Sequence, residues 1–159
     1  MAKRSVVVGA DNWIGTIDSL AANADHMSHL AVYGGAGVIA DGIREAIKRL
    51  PTRTRQNGHH EKGVTDVERQ GLLDGLGVAT HRRQDGKVDT KIAFDGYNAY
   101  ITEKWPKGHP NSMVARTVEA GTSWLTKTPF IAPTARKLKK EAVAAMQKEL
   151  DDYIRQKEK

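Results

Sequence analysis

Apolar and small residues recur at three- and four-residue steps from Met27 to Leu50, through Leu30, Ala31, Gly34, Val38, Ile39, Ile43, Ala46 and Ile47. Over about seven turns this spacing predicts one long amphipathic helix, which Pro51 ends. Gly34, Gly35, Gly37 and Gly42 interrupt it. Each weakens an isolated helix by up to ~1 kcal/mol relative to Ala, so the pattern predicts a helix or backbone packed closely on that face. A second stripe of Leu138, Ala142, Ala145, Met146, Leu150, Tyr153 and Ile154 predicts a C-terminal helix over 134–155. The run Pro129-Phe130-Ile131-Ala132-Pro133 before it reads as a Pro-bracketed linker.

Between the two helices the period changes. Val88, Thr90, Ile92 and Phe94 alternate with Asp89, Lys91 and Ala93, and Asp85-Gly86 is a strong turn signal, so residues 77–94 read as a β-hairpin. Thr65 with Glu68 three residues on predicts a capping box, opening a short helix with Val67, Leu72, Leu73 and Leu76 on its apolar side. Residues 112–120 read as a short helix closed by Gly121, with a strand as the alternative. Ser5 to Val8 predicts a short strand, and Asp11 a cap for a helix carrying Trp13, Ile14, Ile17 and Leu20. Residues 52–62 contain no apolar side chain, which makes 52–63 a polar loop, and 95–110 is a long aromatic, turn-rich loop. The expectation is a single α+β domain over 1–159, with a small antiparallel sheet and hairpin packed by the long central helix and a C-terminal amphipathic helix.

Composition narrows the function classes. With 39% hydrophobic and 28% charged residues, the chain suits a thin fold with much exposed helix, completed by neighbouring subunits. The absence of cysteine removes disulfides, thiolate metal sites and cysteine nucleophiles. No stretch approaches the roughly 20 apolar residues of a membrane helix, and the N-terminal apolar run is short for a signal peptide, so a cytoplasmic origin and no membrane partner are expected. The glycines of Gly35-Ala36-Gly37-Val38-Ile39-Ala40 imitate a dinucleotide fingerprint, but they lie inside a helical stripe with no strand before them. His26 and His29 lack a third ligand at a familiar spacing, and no serine sits in a Gly-x-Ser-x-Gly elbow. No catalytic residue, cofactor or metal is expected.

Two sets of residues stand out as contact candidates. Arg53, Arg55, His59, His60 and Lys62 in the polar loop, with Arg82, Arg83 and Lys87 at the hairpin end, are available to phosphates or to a partner. The net charge of +6 permits a basic, sequence-independent DNA-binding module as an alternative function. Tyr97, Tyr100, Trp105, Trp124 and Phe130 are interface aromatics, or else pin the long loop to the chain's own core. Gly121, Thr122, Pro129, Phe130 and Pro133 are expected to set the turn that aims the last helix, and Glu119 is grouped with them as an interface or shape residue. Arg136, Lys137, Lys139 and Lys140 crowd that helix's first turns, where the dipole disfavours them, which predicts an acidic neighbour.

The stretches Leu73–Ala79, Lys91–Asn98, Trp105–Asn111, Val114–Ser123 and Thr128–Pro133 resemble a family of head–tail neck proteins of tailed bacteriophages and prophages, the minor tail or tail-completion components. The Glu-x-Gly-Thr-Ser run of residues 119–123, followed by Pro-Phe-x-x-Pro and a lysine-rich final helix, is the most specific element. The resemblance implies a non-enzymatic virion protein at the head–tail junction, assembled in the host cytoplasm. It implies a homo-oligomeric ring, hexamer or dodecamer, around the DNA channel. Tail-terminator, head-completion or connector, and tail-tube proteins would be its partners, with passing DNA touched at most non-specifically.

Overall fold

The computed structural model describes residues 21–53, 61–80, 82–85 and 87–157. The strand expected at Ser5–Val8, the helix opened by Asp11, and Arg55, His59 and His60 lie outside the described residues. The α+β architecture holds, with a long helix α1 (Ala24–Lys48) packed on the C-terminal helix α4 (Ile131–Lys157). Between them come β1 (Glu61–Lys62), α2 (Asp66–Gly75), β2 (Leu76–Val78), β3 (Arg82–Gln84), β4 (Lys87–Asp89), β5 (Ile92–Phe94), α3 (Asn111–Ala120) and β6 (Leu125–Thr126).

Helices α1 and α4 run antiparallel, and the glycines of α1 explain how closely. A Cβ on Gly34 would lie 2.7 Å from Glu149 Cγ; one on Gly35 would collide with Met146 and one on Gly42 with Leu138. Gly37 faces nothing within 4 Å. The helix interior therefore tolerates the poor intrinsic propensity of three glycines because α4 occupies the space their side chains would need. The same packing places Gly35 and Gly37 in mid-helix, away from any strand–turn–helix junction that a phosphate cradle requires.

The core gathers at the C-terminal half of α1. Ile43, Ile47 and Leu50 meet Leu72 of α2, Val114, Ala115 and Val118 of α3, Leu76, Leu125 and Val64, with Phe130 closing the cluster. Each large side chain removed from water there contributes about 1.5–3 kcal/mol. Toward the N-terminal end of α1 only small residues are fully buried, namely Ala31, Gly35, Ala36 and Ala40. On α4 only Ala142 is.

The hairpin forms as expected, but as two short ladders. The outer one pairs Leu76, Gly77 and Val78 with Phe94, Ala93 and Ile92, and the inner one pairs Arg82–Gln84 with Lys87–Asp89. Thr90 Oγ1 donates to the Ala79 carbonyl between them. Asp85 takes a positive φ of 52° at the turn, a conformation in which aspartate is tolerated. A two-residue parallel pair, β1 with β6, was not legible; it ties the chain after Pro51 to the segment after α3. The capping box of α2 is present in full, with Thr65 Oγ1 accepting from Glu68 N and Glu68 Oε2 accepting from Thr65 N.

Two boundaries move. The expected helix over 112–120 is α3, one residue longer at its start. Helix α4 begins at Ile131, not Thr134, and continues to Lys157. Ile131, Ala132 and Pro133 are its first turn, where a proline has no hydrogen bond to lose.

Candidate functional site

The segment from Glu119 to Pro133 is a strap that joins α3 to α4, and one carboxylate organises it. Glu119 accepts hydrogen bonds from the backbone N–H groups of Phe130 at 2.7 Å, Ile131 at 2.9 Å and Ala132 at 2.9 Å. A helix leaves four N–H groups without partners at its start. Here three are met by Glu119 and the fourth position is Pro133, which has none. Burial opposes ionisation of Glu119, but the three N–H donors and the Lys127 charge outweigh it and hold the carboxyl below the ordinary glutamate range.

The path from α3 to this cap is shaped by Gly121. It has φ 78°, and a Cβ there would sit 2.9 Å from Lys127 N. Its N–H donates to Thr117 O, closing α3. Thr122 then makes a tight turn, Oγ1 accepting from Leu125 N and its own N–H donating to Leu125 O. Thr128 N returns to Val118 O. Leu125 and Phe130 are pressed into the core by these turns, and Phe130 meets Phe94 edge-on at 6.2 Å between centroids. Thr122 and Pro129 are exposed.

Several expected contact residues take other roles. Phe130 is a core residue, only 4% exposed, because the cap on α4 turns it inward. Arg53 is not on an exposed charged surface. Its Nη2 bonds both oxygens of the buried Glu68, at 3.1 and 2.8 Å, its Nε donates to Gly63 O, and Trp124 covers its guanidinium at 5.5 Å. Glu68 thus caps its own helix and pairs with Arg53, and this satisfies both buried charges. Glu119 meets the first backbone N–H groups of α4, and no acidic side chain pairs with the lysines and arginine of its first turns among the described residues. Arg136, Lys137, Lys139 and Lys140 are exposed and form no ion pair among the described residues.

Other candidates keep their exposure. Lys62, Arg82 and Lys87 are exposed, on β1, β3 and β4 respectively. The Arg83 side chain lies outside the described side chains. Tyr97 and Trp124 remain exposed, while Tyr100 and Trp105 are half-buried around His109, with ring centroids 5.2 and 6.1 Å away. Asn98, which no sequence signal marks, holds that loop: its Oδ1 accepts from Tyr100 N and His109 N. These bonds give the loop a defined shape, on which Tyr97 and Ile101 are 56% and 67% exposed.

Beside the strap lies a shallow groove of about 500 Å³ between β5 and α3, lined by Phe94, Ala115, Ala120 and Ile131 with Arg116 and Glu119 at its polar side. Among the described residues no three His, Asp or Glu side chains gather to hold a metal, and no helix is long and apolar enough to cross a membrane. No family model, curated protein or solved structure matches the chain.

Proposed function

We propose that this chain is a structural, non-enzymatic subunit of a tailed-bacteriophage or prophage neck, completing the tail and joining it to the head as a ring around the DNA channel. One observation carries most weight beside the sequence resemblance. The strap's polar groups are consumed in holding shape, while large apolar side chains stand exposed on ordered elements: Tyr97, Ile101, Trp124 and Val143. A protein that uses its polar groups for architecture and leaves large apolar side chains outside is suited to permanent neighbours. In a closed ring two different patches of each copy meet, which gives such surface a partner.

The test is genetic. Deleting the gene from its phage or prophage and inducing particles should leave full heads and finished tails unjoined in electron micrographs, with joining restored by the gene in trans. Normal virions from the deletion would refute the reading. A second reading, sequence-independent DNA binding, is favoured by the exposed Arg136, Lys137, Lys139 and Lys140, which form no ion pair among the described residues. A filter-binding salt series separates the two, since tight binding at ~0.2 M salt with a slope of several phosphates belongs to a DNA-binding module.

A further inference from the structure

We propose that the outward face of α4 pairs two copies of this chain, antiparallel, about a two-fold axis at Ala144. The inward face is fixed by the glycines of α1. Thr134 and Leu138 lie against Gly42, Met146 against Gly35 and Glu149 against Gly34. At 3.6 residues per turn the opposite side carries Arg136, Lys140, Val143, Ala144, Gln147 and Asp151, and all of these are exposed. Val143 and Ala144 make the centre of this face apolar, with Val143 54% exposed.

The charges of the helix point to what covers it. Between Ile131 and Lys140 every charged residue is basic, and the acids of α4 all come at Glu141 or later. Neither set is neutralised within the fold: Arg136, Lys137, Glu141, Lys148, Asp151 and Asp152 form no ion pair among the described residues. The basic block also lies near the helix start, where the dipole opposes it. Counted from Ala144, the pattern is symmetrical in position and opposite in sign. Arg136 and Lys137 stand eight and seven residues before it, and Asp152 and Asp151 stand eight and seven after it. Glu141 stands three before it and Lys148 four after it.

A two-fold axis at Ala144 sets each residue before it against the residue equally far after it on the second copy. Arg136 and Lys137 then meet Asp152 and Asp151 of the second copy, Glu141 meets Lys148, and symmetry repeats each pair. Val143 and Ala144 of both copies meet at the centre. Lys139 and Lys140 have no acid opposite them. A parallel pairing would set the basic block against itself. Duplex DNA would match the basic half alone and bring phosphates toward Glu141, Asp151 and Asp152, so charge complementarity favours the second copy. The contact is isologous, unlike the heterologous contacts that close a ring, and the inference does not rest on the neck reading.

Sedimentation velocity at ~100 µM protein should show a dimer that weakens as salt rises. Arg136→Glu with Lys137→Glu should weaken it by about tenfold or more, and adding Asp151→Lys and Asp152→Lys to the same chain should restore it to within about threefold. Circular dichroism should show the helix intact in both chains, since the reversals favour its dipole. Lys140→Glu sets an acid opposite Lys148 and should tighten the dimer, whereas it would weaken binding to DNA. The native chain has no cysteine. Ala144→Cys, at the axis, should therefore oxidise to a dimer on non-reducing gels about tenfold faster than the exposed Lys148→Cys, whose two copies lie ~12 Å apart along the pair. A wild type that stays monomeric at this concentration overturns the proposal. Equal crosslinking of the two cysteine variants, or a double reversal that restores nothing, overturns it too. The ring of the neck reading is tested by the deletion phenotype and survives each of these failures.

Discussion

Two glutamates do the same job at the starts of two helices, and they differ in where they come from. Glu68 caps α2 from within, three residues past Thr65. Glu119 caps α4 from the last turn of another helix, 11 to 13 residues away. The first arrangement secures a helix locally. The second makes the start of α4 conditional on α3 and on the turn at Gly121, so the direction of the longest exposed helix is set by tertiary contact. Glu68 also carries a second duty, the buried bidentate pair with Arg53.

The contrast can be broken at several points. Arg53→Met leaves Glu68 buried without its counter-charge and should cost about 3–5 kcal/mol, read as a lower urea midpoint; an unchanged midpoint would mean that the pair is solvated. Gly121→Val forces a branched side chain into φ 78° against Lys127, at a cost of about 1–3 kcal/mol. Its mark should be lost hydrogen-exchange protection in the first turn of α4 with helical circular dichroism largely kept.

Glu119→Gln should cost about 1 kcal/mol, in the range of other N-cap losses. Its signature is in pH. A carboxyl held below its ordinary range stabilises the fold above that range, and the contribution disappears as pH falls through the folded value. Stability of the wild type should therefore drop more steeply on acidification than that of Glu119→Gln, and parallel pH curves would remove Glu119 as an ionised cap. Thr65→Ala should also cost about 1 kcal/mol, but with the loss confined to α2, so exchange at Ile131 and Ala132 stays as in the wild type. Smallest of all, Gly37→Ala should raise stability by about 0.5–1 kcal/mol, since the new methyl meets nothing and the helix gains propensity. Gly35→Ala should instead lower the thermal midpoint.

What was legible follows from the range of each interaction. The long helix, the capping box and the hairpin rest on spacings of two to four residues, and all three formed where the pattern placed them. The start of α4 was misplaced because Pro129 and Pro133 look like a linker when the carboxylate that turns Ile131 into a first helical residue is absent from the local window. Phe130 reads equally as an interface aromatic or as a core anchor, and the same local window does not separate the two. Arg53 sat in a wholly polar run, and no local feature distinguishes a buried arginine from a solvated one there. The β1–β6 pairing joins segments far apart in sequence through only two residues each, too few to leave a periodic signal.

The amino-acid sequence by itself determined the two long helices, where the hairpin turns, and that a helix or backbone packs closely on the glycines of α1, because periodicity, capping and steric room are local properties. Only the tertiary structure decided that Glu119 caps α4, that Arg53 and Phe130 belong inside, and that a groove opens between β5 and α3. Those outcomes depend on which distant groups meet, and burial and hydrogen-bond satisfaction are settled by the neighbours a residue acquires.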